Sequence, residues 1–101
     1  MRAGMRLRSA TCECEVVVVS APSKEVPIEC GGLPMMTPDS TQERDVSRLD
    51  PELSHGTQLG KRYVDPETGA ELLCTKAGRG TLVIDGRPLT IKDAKPLPTS
   101  D

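Results

Sequence analysis

The sequence predicts a mostly β protein: a small single domain of short antiparallel strands ending in a C-terminal β-hairpin. Three observations predict it. Glu15-Val-Val-Val-Val-Ser20 is short, β-branched and bounded by polar residues, the pattern of a strand. Asp85-Gly86 lies between the β-type runs Thr81–Ile84 and Arg87–Lys92, which marks a two-residue hairpin because both turn residues must adopt positive φ. The chain has 101 residues, enough for one small domain, and its apolar stock is eight Val, ten Leu and three Ile, with Tyr63 the single aromatic.

Taken in order, residues 1–36 form a first β segment. Four consecutive valines suggest a strand covered on both faces, or one face packed on a partner. Ala21-Pro-Ser-Lys24 is a turn signal. Val26, Ile28 and Cys30 alternate with Pro27 and Glu29, a second and shorter strand, placed at an edge because Pro27 has no amide to donate to a ladder. These two strands would make an N-terminal hairpin, and a tight turn at Cys30-Gly-Gly-Leu-Pro-Met35 follows it. Residues 37–58 are polar and carry few apolar side chains. Val46, Leu49 and Leu53 suit a short helix, but Asp50-Pro51 interrupts it, so the segment reads as a flexible polar linker. Residues 59–101 hold the rest: Tyr63-Val64, a turn at Asp65-Pro-Glu-Thr-Gly69, a strand at Glu71–Lys76, a turn at Ala77-Gly-Arg-Gly80, and the hairpin. Pro88 puts its second arm at an edge. Asp93–Asp101, with Pro96 and Pro98, reads as an extended or disordered tail. The count comes to roughly five strands.

Composition narrows the function. A core of some twenty aliphatic side chains, each gaining roughly 1.5–3 kcal/mol on full burial, competes with a backbone ordering cost of roughly 1–2 kcal/mol per residue. Such a chain either leaves part of itself disordered or leans on a bound metal, a protein partner or a second copy of itself. A net charge of −2 with mixed signs argues against nucleic-acid binding, and Arg2, Arg6 and Arg8 read as a solvated basic end. The longest apolar run, Val16–Val19, falls far short of the ~20 residues of a membrane helix. No apolar stretch follows the basic start, so no secretory signal is expected and the expected compartment is the cytoplasm.

In that compartment four cysteines are free or metal-bound rather than disulfide-bonded. They are Cys12, Cys14, Cys30 and Cys74, spaced as Cys-x-Cys, then 15 residues, then 43. Alternation before a strand would put Cys12 and Cys14 on one face. Cys30 opens the Gly31-Gly32 turn, so those three would meet at one end of the N-terminal hairpin, while Cys74 would come from elsewhere in the fold. Four thiolates close a tetrahedral site for Zn²⁺ and also bind iron. Equally, Cys30 and Cys74 could be small buried hydrophobes with no metal. His55, the one histidine, is the other candidate for a fourth ligand. Gly31-Gly32 and Gly78-Arg-Gly80 lack the Gly-Lys-Ser/Thr of a phosphate loop, Asp65-Pro-Glu67 starts a turn, and one histidine supports no Ser-His-Asp arrangement. A free-standing enzyme is therefore not expected.

The stretch from Arg8 to Met35 resembles the rubredoxin-type knuckle domains, especially the small desulforedoxin-like domain that opens desulfoferrodoxins. Cys12, the Val16–Val19 strand and Cys30-Gly-Gly-Leu-Pro-Met35 carry the resemblance, which covers about a quarter of the chain. It implies a zinc-ribbon-like N-terminal knuckle with thiolate ligands. A family-type Cys-x-x-Cys ending at Cys12 would have a cysteine at position 9, where Ser9 stands, so Cys14 would substitute. The second knuckle has one cysteine, leaving Cys74 or His55 to complete the set. Three functions follow: a small accessory or interaction protein with a structural Zn²⁺ site, a rubredoxin-type iron electron carrier, or a metal-free β subunit of a larger enzyme assembly.

Overall fold

The computed structural model describes residues 2–92. The tail expected over Asp93–Asp101 lies outside them. The chain is mostly β, in two antiparallel sheets, with no helix of seven or more residues among the described residues. Among the described residues nine short strands alternate between the sheets: β1 (Arg6–Arg8), β2 (Glu15–Ser20), β3 (Ile28–Cys30), β4 (Leu33–Pro34), β5 (Arg62–Asp65), β6 (Ala70–Lys76), β7 (Leu82–Ile84), β8 (Arg87–Pro88) and β9 (Thr90–Ile91). The first sheet has the order β1-β2-β6-β5-β9 and the second β4-β3-β7-β8.

The valine run behaves as an alternating strand. Val16 and Val18 are buried, Val17 is half-buried and Val19 is exposed. β2 lies between β1 and β6, with Leu7 opposite Val16, Val16 opposite Cys74 and Val18 opposite Leu72. Tyr63 continues that row, opposite Leu72. From the second sheet, Ile28 opposite Ile84 and Cys30 opposite Leu82 supply the facing side chains. Both sets belong to one hydrophobic cluster, so the two sheets share a core.

Two expectations are corrected here. β2 and β3 do not form an N-terminal hairpin: β2 pairs with β1 and β6, and β3 pairs with β4 and β7. Nor is β3 an edge, because Pro27 stops just short of the strand and leaves its ladder intact. The Asp85-Gly86 hairpin forms as expected, with φ of 52° and 77° at the two turn residues and Ile84 opposite Arg87. Its second arm, however, splits. Arg87-Pro88 edges the second sheet, Leu89 is buried, and Thr90-Ile91 crosses to pair with β5 in the first.

Both sheets draw strands from the first and third sequence segments. Residues 37–58, read as a linker, form two 3-10 turns at Val46–Arg48 and Pro51–Leu53, capped by the Asp45 and Asp50 carboxylates. They are fastened to the β loops by backbone hydrogen bonds from Asp45 to Ala10, from Asp50 to Gly31 and from Thr81 to Leu53. The Arg8 guanidinium adds two more, to the carbonyls of Ser40 and Gln42. Among the described residues no helix is long and apolar enough to cross a membrane.

Candidate functional site: a buried cysteine cluster

All four cysteines are free and buried. Cys12 and Cys14 lie not on a strand but in the tight loop 9–14 between β1 and β2. Ser9 folds that loop. Its amide donates to the Cys14 carbonyl at 2.9 Å, and its hydroxyl oxygen accepts from the amides of Thr11 at 3.0 Å and Cys12 at 3.1 Å. This is the usual way a serine hydroxyl substitutes for a backbone partner in a turn. Cys30 ends β3, and Gly31-Gly32 turn the chain with φ of 67° and 103° so that Leu33 pairs back on Cys30. A side chain at Gly31 would stand 2.3 Å from Thr11 Oγ1, so the close approach of the loop requires glycine. Thr11 Oγ1 in turn donates to the Cys30 carbonyl at 2.9 Å, which locks the two cysteine loops together. Cys74 stands on β6, opposite Val16.

The sulfurs of Cys12 and Cys30 are 3.8 Å apart. The Gly80 amide donates to Cys12 Sγ at 3.3 Å, and Ser9 Oγ lies 3.4 Å from the same sulfur. Hydrogen bonding to Cys30, helped by Ser9 and the amides of Cys14 and Gly80, holds the Cys12 thiol far below its ordinary range despite burial. Cys14 is also lowered, first by a hydrogen bond to Cys30 and then by the Thr57 hydroxyl. Cys30, donating to both, is pushed up. Burial pushes Cys74 up. Hydrogen bonding thus favours the thiolate form at Cys12 and Cys14 and the thiol form at Cys30, while burial favours the thiol at Cys74. Among the described residues, no group of three or more His, Cys, Asp or Glu side chains stands set to hold a metal ion.

Of the two candidates for the fourth position, Cys74 is buried and its thiol donates to the Lys76 carbonyl at 3.3 Å. His55 is exposed, and its ring and amide face Thr81 Oγ1. Four participants carry no thiol: Ser9, Thr57, Gly78 and Gly80. Thr57 exchanges hydrogen bonds with Gly78, its hydroxyl accepting from the Gly78 amide at 3.0 Å. The two glycines lie against the sulfurs. A Cβ at Gly78 would meet Cys14 N at 2.4 Å and Cys12 Sγ at 2.8 Å, and one at Gly80 would meet Cys30 Sγ at 2.9 Å. The available signal was the spacing of two glycines soon after Cys74 in Ala77-Gly-Arg-Gly80, a place where backbone must come close to something.

No protein-family model, no curated protein and no solved structure matches the chain.

Proposed function

We propose that the chain is a small accessory protein of the cytoplasm whose cysteine cluster holds one structural Zn²⁺ through Cys12, Cys14, Cys30 and Cys74. The ion would do no chemistry. It would cross-link the two sheets and fix a surface for a protein partner or a second copy of the chain. The observation that carries this reading is the contact of two free, buried thiols, Cys12 and Cys30, at 3.8 Å, with Cys14 and Cys74 in the same buried core cluster. Zinc–sulfur bonds of about 2.3 Å in a tetrahedron put neighbouring sulfurs about 3.8 Å apart. A disulfide would need about 2.05 Å. The Gly80 amide supplies a donor to a sulfur that would carry charge. Since no three ligands stand set for an ion, loading would turn the Cys14 and Cys74 side chains toward the Cys12–Cys30 pair. A core of aliphatics with one aromatic gains most from such a cross-link.

Elemental analysis and an absorption spectrum of protein purified without chelator test the reading. One zinc per chain is expected, lost in Cys30→Ser, with the loaded protein colourless. One iron per chain with visible thiolate absorption would replace it with electron transfer. Folded protein with no metal would leave a partner-dependent β subunit.

A further inference from the structure

We propose that Cys12 and Cys30 form a reversible disulfide on exposure to a hydroperoxide, and that this oxidation empties the cluster of its ion. The second half rests on the zinc reading above; the first does not. The 3.8 Å contact joins a residue of the irregular 9–14 loop to one at the end of β3 beside Gly31-Gly32. From 3.8 Å the sulfurs must approach by about 1.8 Å to reach the roughly 2.05 Å of an S–S bond. Cys12 stands in a loop outside the strand ladders, and Cys30 stands at the very end of β3. Cys74, in contrast, is held mid-strand between β2 and β5. The backbone of Gly78 and Gly80 lies directly against the two sulfurs.

Cys12 is the attacking sulfur, because the Gly80 amide donates to it. Its thiolate attacks one peroxide oxygen. An S–O bond forms, the O–O bond breaks and hydroxide leaves, giving the sulfenic acid. The Cys30 thiol then attacks the Cys12 sulfur. An S–S bond forms, the S–O bond breaks, and the departing hydroxide takes the Cys30 proton as water. Two thiols are oxidised and one hydroperoxide is reduced. A dithiol reductant of the thioredoxin class reverses the change by exchange. Once the Cys12 and Cys30 thiolates are spent, the two remaining sulfurs cannot retain zinc.

The test treats the intact protein with hydrogen peroxide, blocks remaining thiols under denaturing conditions, and maps the unreduced peptides after cleavage by trypsin and a glutamate-specific protease. Cleavage after Glu13 separates Cys12 from Cys14, and cleavage after Glu29 isolates Cys30 from the preceding chain. Loss of two of the four thiols and a peptide joining Cys12 to Cys30 are expected, with one zinc released per disulfide to a chromogenic chelator. Four surviving thiols, or a bond joining any other pair, would overturn the proposal. A Cys12–Cys30 bond in protein that never held zinc would remove the release half and the zinc reading together, and leave the redox pair standing. The map is made on the unaltered chain, so it does not depend on any variant folding.

Discussion

Gly80 shows how little room the cysteine cluster leaves. Its missing Cβ would lie 2.9 Å from Cys30 Sγ and 2.9 Å from the Gly31 amide nitrogen, a contact with backbone on one side and a buried sulfur on the other. Neither neighbour is the free end of a flexible side chain, so strain must enter the fold. Gly80→Ala is expected to cost about 1–3 kcal/mol, the usual penalty of overpacking, and to weaken the amide's bond to Cys12 Sγ. Chemical denaturation of variant and parent checks it. Gly60→Ala is a useful contrast: nothing lies within 4 Å of the added atom, so only its positive φ of 83° is taxed. Ser9 belongs to the same scale. It organises the Cys12 loop through its hydroxyl while approaching the Cys12 sulfur.

Among the elements, the Asp85-Gly86 hairpin takes the conformation that its sequence predicts. Both turn residues have positive φ, and the flanking residues pair. Gly86 faces open space, so replacing it with alanine removes no contact and isolates the cost of the backbone angle. Gly86→Ala should destabilise the protein by about 1–2 kcal/mol, the penalty of holding an L-residue in the left-handed region, without altering metal content. A thermal melt together with elemental analysis separates those two readouts. What the hairpin signal could not show is the split of its second arm. Arg87-Pro88 stays with β7, but buried Leu89 carries the chain across the core, and Thr90-Ile91 finds a free edge on β5. Residues 37–58 follow the same logic. Their composition cannot build a core, yet Asp45 and Asp50 cap two short turns that dock onto the cysteine loops by backbone hydrogen bonds.

On the scale of the whole molecule, the two sheets are fastened at both ends. The cysteine cluster joins them at one end. At the other, Asp65 closes β5 in the first sheet and Arg87 opens β8 in the second, with Arg87 Nη2 2.9 Å from Asp65 Oδ2. Asp65 is buried and also accepts from the Thr68 hydroxyl at 2.8 Å. Hydrogen bonds from Arg87 hold its carboxyl below the usual range. A carboxyl depressed in the folded state binds protons more readily when unfolded. Its stabilisation is therefore complete above the unfolded value of about 3.9 and is lost as pH falls through the folded value. Asp65→Asn should cost about 1–3 kcal/mol at neutral pH, through weakened or unmade buried hydrogen bonds. It should also flatten the fall in stability below about pH 4 relative to the parent. Denaturation midpoints measured across that range decide the matter: equal slopes would show that the pair carries no acid sensitivity.

The sequence by itself determined the strands and turns that local chemistry dictates: the β-branched Val16–Val19 run, the Cys30-Gly-Gly turn, the Asp65–Gly69 turn, the Glu71–Lys76 strand and the Asp85-Gly86 hairpin. It also singled out the four cysteines, because thiols are few and chemically distinct. Only the tertiary structure decided which strands pair, and therefore which sulfurs meet. β2 prefers β6 over β3 because Val16 and Val18 then line up with Cys74 and Leu72 on one buried face. That choice separates β2 from β3 and leaves the loops, not a hairpin end, to bring Cys12 and Cys14 to Cys30. Ser9, Thr57, Gly78 and Gly80 took their roles from that same pairing, since a hydroxyl or a missing Cβ gains meaning only from what is packed against it.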